Sequence, residues 1–473
     1  MKQKHVHLIG ICGTAMASLA GLLKARGLQV TGSDSAAYPP MSDLLASQGI
    51  PLWQPSEANL QPAPDLVVVG NAISRGNVEL EYVLDQRIRL QSMAQVLHDQ
   101  FLVGRERLVV AGTHGKTTTS SLLAWLFHSA GRAAGFLIGG IPENFGVSFA
   151  LGSVPEFIVE GDEYDTAFFD KGPKFLHYFP DAVILTSVEF DHADIYNSLD
   201  EVKTAFKRLV NLIPRRGALI AWDGHPNVEE CISRACCRVE RYGFREGSQW
   251  RIVDVRYAPG TTYWKILRND QPWAEFEFPL AGEYNVLNAT AATALAASHG
   301  VSREAIAVGL RGFRSVKRRL EVKAEAHGIT IIDDFAHHPT AIRQTLQAIR
   351  TRYPGRRLWA VLEPRSNTLR RKVFQTELAR SLSAADQVVL AGIFKSEAIA
   401  ESERLDPAAV VSDLLSNGKP ARLLATADDI VAAIAPELHE GDVVAILSNG
   451  GFGGIYDKLP ARLHTLHEVS TNA

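Results

Sequence analysis

The sequence predicts an α/β protein built from three domains. Short runs rich in Val, Ile and Leu alternate with helix-length amphipathic stretches along almost the whole chain, the pattern of parallel strands joined by helices. The 473 residues exceed what one hydrophobic core accommodates and suit three domains of roughly 150 residues each. The pattern turns polar near residues 99–106, and a basic segment at 311–319 precedes another strand. We therefore expect domains at residues 1–106, 107–316 and 317–473, the first and last of them Rossmann-like.

The N-terminal segment predicts a strand, a glycine turn and a helix. The strand is expected at 5–9, the helix at 16–26, and further strands at 29–31 and 65–69, the last followed by Gly70-Asn71-Ala72. The turn Gly10-Ile11-Cys12-Gly13-Thr14-Ala15, with Asp34 after the second strand, resembles a dinucleotide-binding fingerprint. Cys12 and Ala15 replace its second and third glycines, and a Cβ at the second position hinders the approach of a pyrophosphate. NAD is therefore disfavoured, whereas a nucleotide diphosphate bound in another way remains open.

The strongest local motif is Gly112-Thr113-His114-Gly115-Lys116-Thr117-Thr118, between a strand at 107–111 and a helix at 119–129. A glycine turn in this position directs backbone N–H groups at a polyphosphate. Lys116 is expected to neutralise phosphate charge, and the Thr117 hydroxyl to bind Mg²⁺. The spacing Gly-x-x-Gly-Lys-Thr is shorter than the full Gly-x4-Gly-Lys-Thr motif. The context nevertheless favours a P-loop ATPase as the central domain.

Acidic residues follow two further strands of the predicted central sheet. Glu160 comes directly after the strand at 156–159, and His192 lies just beyond the strand at 182–188. Because carboxyl ends of neighbouring parallel strands open onto one crevice, Glu160 and His192 are expected beside the phosphate loop, where they suit a magnesium site. Glu163, Asp165 and Asp194 are interpreted as helix N-caps.

The second half of the chain predicts an antiparallel insertion followed by a last α/β domain. The segment 249–278 alternates and contains a Pro-Gly turn, and a helix is expected at 285–298. Strands are expected at 329–332, 357–362, 387–391, 422–425 and 443–448. Three strand ends carry polar or glycine-rich loops, at 333–339, 363–368 and 448–454; the last holds four glycines, which suits close approach of the backbone to a ligand.

Composition excludes several classes of protein. The formal net charge is -3, with 49 Lys+Arg against 52 Asp+Glu, so there is no global electrostatic reason to bind nucleic acid or an anionic membrane. No apolar run is long enough for a bilayer span. The four cysteines, Cys12, Cys231, Cys236 and Cys237, fit neither a zinc ribbon nor a disulfide framework. We expect a cytoplasmic enzyme that acts on small molecules.

Taken together, these segments resemble the Mur ligase family over essentially the whole chain. The markers, in order, are Gly10–Ala15, Gly112–Thr118, Glu160–Glu163, Asp191-His192, Gly282–Ala289, Arg318-Arg319 and Asp334–Pro339. The resemblance implies an ATP-dependent amide ligase with Mg²⁺ as cofactor: a carboxylate of UDP-N-acetylmuramate is phosphorylated by ATP, and an amine then displaces phosphate from the acyl phosphate. The family's shorter phosphate loop also accounts for the spacing noted above.

The resemblance also implies roles for individual residues. It places Lys116, His192 and Arg318 in catalysis, and Thr117, Glu160 and His192 on Mg²⁺. The implied ATP contacts are Gly112, Thr113, His114, Gly115, Lys116, Thr117, Thr118, Asn285, Asn288, Arg318, Asp333 and Asp334. The implied UDP-sugar contacts are Gly10, Gly13, Thr14, Asp34, Asn71 and His114. The candidate peptide contacts are Arg365, Asn367, Ser448, Asn449 and Gly450.

Within the family, three segments are similar to the branch that acts in peptidoglycan recycling. These are residues 168–178, 363–368 and 448–454. That branch joins UDP-N-acetylmuramate to the tripeptide L-alanyl-γ-D-glutamyl-meso-diaminopimelate. The main alternative is the family's L-alanine-adding ligase of de novo synthesis, which shares the ATP and UDP-sugar sites. A second alternative, a folylpolyglutamate-type ligase, does not explain the first domain. A third alternative, a nucleotide-dependent switch, does not explain the combination of Glu160, His192 and Asn285 with the third domain.

Overall fold

The computed structural model describes residues 4–37 and 39–471, and these form three main β-sheets with helices packed against them. The sheets have five, ten and six strands and follow one another along the chain. A separate two-stranded hairpin lies within the central segment. The α/β fold class expected from the sequence is confirmed.

The first sheet is entirely parallel, in the order β3-β2-β1-β4-β5. Its strands are β1 His5–Ile9, β2 Gln29–Ser33, β3 Leu52–Trp53, β4 Leu66–Val69 and β5 Leu90–Ser92, and its helices are α1 Thr14–Ala25, α2 Met41–Ser47, α3 Val78–Asp85 and α4 Met93–Leu97. All four residues of β4 are buried, as expected for a parallel strand covered on both faces. The predicted helix at 16–26 begins two residues earlier, at Thr14, immediately after Gly13.

The central sheet contains the phosphate-loop strand β6 between β9 and β12. Its strands are β6 Glu106–Ala111, β7 Gly135–Leu137, β8 Phe149–Ala150, β9 Glu156–Gly161, β12 Ala182–Leu185, β13 Ala218–Trp222, β14 Arg238–Gly243, β15 Trp250–Ala258, β16 Thr261–Arg268 and β17 Gln271–Phe278; the hairpin is β10 Asp165–Ala167 and β11 Asp170–Pro173. The helices are α5 Lys116–Ser129, α6 Leu199–Asn211, α7 Pro226–Ile232, α8 Glu283–Ser298 and α9 Arg303–Arg311. Ala111 is in register with Gly161 of β9 and Leu185 of β12, so these three strands end at one edge. The expected antiparallel insertion is confirmed as β15–β17.

The third sheet has the order β18-β19-β23-β20-β21-β22. Its strands are β18 Glu321–Ala326, β19 Ile329–Asp334, β20 Leu358–Leu362, β21 Gln387–Ala391, β22 Ala421–Leu424 and β23 Val443–Leu447, and its helices are α10 Pro339–Arg352, α11 Gln375–Leu382, α12 Pro407–Ser416, α13 Ala427–Ile434 and α14 Ile455–Thr471. The five strands expected from the sequence are confirmed; β18 is an added antiparallel edge. Leu447 pairs with Asp334 and with Leu362, which places the three polar or glycine-rich loops side by side.

Direct contacts join the three units around the central sheet. Helix α1 packs closely on the central domain, because a Cβ on Gly21 would lie 2.1 Å from a ring carbon of Phe149. On the other side, Thr368 Oγ1 donates to Asp191 Oδ1 at 2.8 Å and accepts the N–H of Ala193 at 3.1 Å.

None of the described helices combines the length and apolar character needed to cross a bilayer.

Candidate active site

The phosphate loop links β6 to α5 through two glycines in left-handed conformations. Gly112 has φ +134°, and a Cβ there would lie 2.2 Å from Thr186 Oγ1. Gly115 is the N-cap of α5 with φ +79°, and its Cβ would lie 2.5 Å from Asn288 Oδ1. Ser187 anchors the loop from the neighbouring strand end, since its Oγ accepts the N–H of His114 at 3.0 Å. The sequence therefore needs glycine at both positions to turn directly into a helix N-terminus.

Lys116, the first residue of α5, is paired with a carboxylate that comes from beyond β9. Its Nζ lies 2.7 Å from Glu163 Oε2 and 2.9 Å from Oε1. Burial by itself lowers the pKa of Lys116, but Glu163, Asp162 and Glu160 outweigh it and raise the pKa above its ordinary value. The ammonium group is therefore kept charged in a largely buried site.

Glu160 stands at the end of β9 and faces the first turn of α5. Its Oε1 accepts the Thr117 hydroxyl at 2.9 Å, and its Oε2 accepts the N–H of Gly139 at 2.7 Å. Burial raises the pKa of Glu160, and Lys116 opposes that rise. The predicted proximity of Thr117 and Glu160 is thus present in the structure.

A second group of metal-type ligands lies next to this pair. Ligand atoms of Asp162, Glu163 and His192 all lie within 4.8 Å of one another. His192 has φ +55°, and its Nε2 is 3.2 Å from Glu163 Oε1. Burial lowers the pKa of His192, yet the bond to Glu163 brings the net pKa above its ordinary value. Burial also opposes ionisation of Asp162, but Lys174, Lys116 and His192 lower its pKa to about 2. Two carboxylates and an imidazole can hold a divalent cation, and the oxygen-rich surroundings fit Mg²⁺.

The interpretation of Glu163, Asp165 and Asp194 as helix N-caps is wrong. The chain after Gly161 forms the hairpin β10–β11 rather than a helix, and Ser198 caps the next helix, α6. Glu163 pairs with Lys116, and Asp165 pairs with Lys171 at 2.6 Å. Asp194 accepts hydrogen bonds from Tyr164 and Asn367.

A first cavity of about 220 Å³ surrounds the phosphate loop. From the central domain it is lined by Thr113, His114, Gly115, Lys116, Thr117, Thr118, Gly139, Glu160, Asp162, Asp191, His192, Asn285 and Asn288, among others. The third domain contributes Arg319, Asp334, Phe335, His337 and His338. Asn288 leaves its Nδ2 buried without a hydrogen-bond partner among the described residues. The cavity is therefore formed by two domains and offers an unsatisfied amide to a ligand.

Two of the expected ATP contacts from the third domain do not line this cavity. Arg318 directs its guanidinium away, to Asp333 Oδ2 at 3.1 Å and to the carbonyls of Ser448 and Gly450 at 2.7 and 2.8 Å. Their neighbours Arg319 and Asp334 line the cavity instead. In this structure Arg318, held by Asp333, keeps the loop after β23 in place, and the contact of the two residues with ATP stays a prediction.

A second cavity of about 360 Å³ separates the first domain from the central domain. Of the expected UDP-sugar contacts, Gly13, Thr14 and Asn71 line it. Gly10 and Asp34 support the turn instead: Gly10 has φ +77°, and Asp34 Oδ2 accepts the N–H of Cys12 at 2.9 Å. His114 lies in the first cavity. Four residues, Gly139, Glu160, Asp162 and His192, line both cavities.

The candidate peptide residues gather at the carboxyl edge of the third sheet. The guanidinium of Arg365 lies 3.7 Å from the centre of the Phe394 ring, and a Cβ on Gly450 would be 2.0 Å from Arg365 Nε. Ser448 donates to Glu363, and the Oδ1 of Asn449 is buried without a partner among the described residues. Asn367 donates to Asp194 at 2.7 Å, which ties this edge to the central domain. The loop after β23 thus packs directly on Arg365.

The domains of this chain match known protein families over most of its length. Residues 5–102 match the Mur ligase family, catalytic domain; residues 110–296 match the Mur ligase middle domain; residues 318–450 match the Mur ligase, glutamate ligase domain. The chain belongs to the Mur ligase family.

The similarity extends over the full length of individual Mur ligases. The chain is 41% identical, over 96% of its length and 97% of the relative's, to the UDP-N-acetylmuramate–L-alanyl-γ-D-glutamyl-meso-2,6-diaminoheptandioate ligase of Escherichia coli. The crystal structure of a murein peptide ligase from Psychrobacter arcticus is 38% identical, with a TM-score of 0.75 over 97% of this chain and 98% of that one. The UDP-N-acetylmuramate–L-alanine ligase of Clostridium kluyveri is 31% identical over 95% of this chain and 96% of its own length.

Sequence reasoning misses three residues of this Mur ligase site. Arg319 could have been predicted from the sequence, because it adjoins Arg318 in the same basic pair. Asp162 lies between Glu160 and Glu163, just after β9, and it lines both cavities. Lys174 has no signal in its own segment, since its place at the second cavity depends on how the hairpin β10–β11 returns the chain.

Proposed function

We propose that this Mur ligase joins UDP-N-acetylmuramate to the tripeptide L-alanyl-γ-D-glutamyl-meso-diaminopimelate, with ATP converted to ADP and phosphate. The observation that carries the proposal is the junction of the two cavities at Gly139, Glu160, Asp162 and His192. One cavity contains a phosphate loop and its lysine, and the other faces the Rossmann-like first domain. A carboxylate bound in the second cavity and a γ-phosphate bound in the first would therefore meet at this junction.

The chemistry follows from that meeting point. A free carboxylate is a poor electrophile, so one of its oxygens first attacks the γ-phosphorus, the bond to ADP breaks, and an acyl phosphate forms. The amine of the tripeptide then attacks the acyl carbon, phosphate leaves, and one proton leaves the nitrogen as the amide forms. Lys116 and the N–H groups at the start of α5 hold the phosphates in line, so positioning and electrostatic stabilisation supply most of the rate.

The residues present fit Mg²⁺ at this junction. Thr117 and Glu160 form one oxygen pair, and Asp162, Glu163 and His192 form the adjacent group. When bound, Mg²⁺ would neutralise charge on the transferring phosphoryl group. In the structure Lys116 and His192 share Glu163 as a common partner, which holds these side chains beside one another.

Two observations support the tripeptide as acceptor rather than L-alanine. The relative named for the tripeptide reaction is 41% identical, against 31% for the relative named for L-alanine. In addition, Arg365 and the glycine loop 448–454 pack together at the carboxyl edge of the third sheet, which Asn367 ties to the central domain, and a guanidinium is suited to a carboxylate of diaminopimelate. A cytoplasmic role in peptidoglycan recycling follows from these substrates.

Phosphate release tests the proposal. We expect release that needs Mg-ATP, UDP-N-acetylmuramate and the tripeptide together, with a UDP-muramoyl-tripeptide in the mass spectrum. Turnover with L-alanine in place of the tripeptide would instead indicate the L-alanine-adding ligase of de novo synthesis. Release without any nucleotide sugar would indicate an ATP-dependent switch.

A further inference from the structure

Lys174 places a buried ammonium group in the second cavity. It follows β11 at the start of a short helical turn, and its side chain is 8% exposed. Nζ donates to Asp162 Oδ2 at 2.6 Å and lies 5.4 Å from the centre of the Tyr164 ring. Among the described residues that line the second cavity, Lys174 is the one lysine or arginine.

The charges around the second cavity oppose the entry of a substrate carboxylate. Glu160 and Asp162 line the cavity with negative charge, and Lys116 is engaged with Glu163 on the phosphate side. A third carboxylate entering here is repelled unless cations receive it, and beside Mg²⁺ at the junction the cavity wall itself has to supply one. An ammonium has three N–H donors, and Asp162 is the one side-chain acceptor recorded for Nζ among the described residues. Lys174 can therefore keep Asp162 and bind a second carboxylate.

We propose that Lys174 holds the lactyl carboxylate of the muramoyl sugar at the junction of the two cavities, and that it distinguishes this sugar from one without the lactyl group. The inference rests on the proposed function and adds a specificity-determining residue to it. Asp162, at the junction itself, fixes the ammonium in place. The ring of Tyr164 flanks the ammonium and lines the same cavity, so the charged end is held at the cavity wall.

The test compares two ligands that differ in the lactyl group alone. UDP-N-acetylmuramate and UDP-N-acetylglucosamine are titrated into the full-length protein and into Lys174→Met by calorimetry. We expect Lys174→Met to weaken UDP-N-acetylmuramate binding about 10- to 100-fold, the size of one hydrogen bond between charged groups. Binding of UDP-N-acetylglucosamine should change less than about 2-fold, since it has no carboxylate for Lys174 to contact.

Two further variants control for folding and for general charge. Lys171→Met removes the neighbouring Lys171–Asp165 pair, which has the same 2.6 Å separation but an exposed lysine outside both cavities. It should leave both affinities unchanged. If Lys174→Met does not fold, Lys174→Gln retains a donor for Asp162 without the charge and should lose the same preference.

The outcomes separate this inference from the proposed function. If the wild type prefers UDP-N-acetylmuramate and the Lys174 variants keep that preference, the role of Lys174 is wrong and the proposed function stands. Equal weakening of both ligands would make Lys174 a structural residue and overturn the inference. If the wild type binds neither nucleotide sugar, both proposals fail.

Discussion

Two glycine turns of this protein connect a strand to a helix, yet they differ in chemistry. The turn after β1 begins with Gly10 at φ +77° and ends at the N-cap Gly13; the turn after β6 begins with Gly112 at φ +134° and ends at the N-cap Gly115. Gly13 has φ -60°, and a Cβ added there would lie 3.6 Å from the nearest atom, whereas Gly115 is left-handed and tight against Asn288.

The surroundings of the two turns differ more than their backbones do. Lys116 follows Gly115 directly, and β9 and β12 bring Glu160, Glu163 and His192 to it. Thr14 follows Gly13, and the nearest charged partner of that turn is Asp34, which accepts a backbone N–H. A strand–glycine turn–helix unit therefore supplies a place for an anion, but phosphoryl transfer needs the side chains that neighbouring strands deliver.

The largest effect is expected from removing the lysine that distinguishes the second turn. Lys116→Ala should reduce kcat by about 100- to 1,000-fold or more, because it removes the buried cation at the phosphates. Steady-state phosphate release measures this. Lys24→Ala, which removes an exposed lysine on the helix after the first turn, is the matched control. Retained activity in Lys116→Ala would show that the phosphate loop is not where phosphoryl transfer occurs.

Alanine at the two N-cap glycines tests the backbone difference directly. Gly115→Ala should cost about 1–2 kcal/mol for the left-handed conformation, with a further penalty from the contact with Asn288, and should weaken ATP binding about 10-fold. Gly13→Ala should cost less than about 1 kcal/mol. Thermal unfolding and ATP titration measure both variants. Equal losses of stability would contradict the contrast drawn between the turns.

The imidazole of His192 tests whether the second turn, unlike the first, lies beside a metal site. His192→Ala should raise the Mg²⁺ concentration needed for half-maximal activity about 10-fold, because one ligand beside Glu163 is lost. His177→Ala breaks an imidazole–carboxylate pair with Asp170 away from the cavities and should leave the titration unchanged. An identical Mg²⁺ titration for His192→Ala and the wild type would count against a ligand role.

The smallest effect on nucleotide chemistry is expected away from both turns. Arg365→Ala should raise the KM for the tripeptide about 10-fold and leave the KM for ATP within about 2-fold, because a single charged contact to the peptide is lost. Separate titrations of the two substrates decide this. A parallel rise in both KM values would assign Arg365 to the nucleotide or to the packing of the loop after β23.

The contrast between the turns also shows what the sequence could predict. The strand–loop–helix context of Gly112–Thr118 and the pairing of Thr117 with Glu160 follow from apolar runs, glycines and the rule that parallel strands end at one edge. The order of strands in the ten-stranded sheet and the hairpin β10–β11 do not, because they depend on contacts between distant segments.

Two differences between the sequence prediction and the structure have a local physical cause. The interpretation of Glu163 as a cap rests on the frequency of acidic residues at helix starts, but the following residues pair as a hairpin and leave Glu163 for Lys116. Arg319 rather than Arg318 lines the first cavity because adjacent residues point in different directions on an irregular backbone: Arg318 has φ +63° and Leu320 φ +50°. Such conformations are set by the packing of the hinge, which one sequence does not reveal.

A substrate carboxylate and the γ-phosphate of ATP are expected to meet where the two cavities join, and every step proposed above depends on that meeting. Transfer of ¹⁸O from the lactyl carboxylate of labelled UDP-N-acetylmuramate to phosphate tests it by mass spectrometry of the released phosphate. With both carboxylate oxygens labelled, we predict one ¹⁸O in each phosphate released with the tripeptide. Unlabelled phosphate would show that water, rather than the carboxylate, attacks ATP, and would contradict the proposed mechanism.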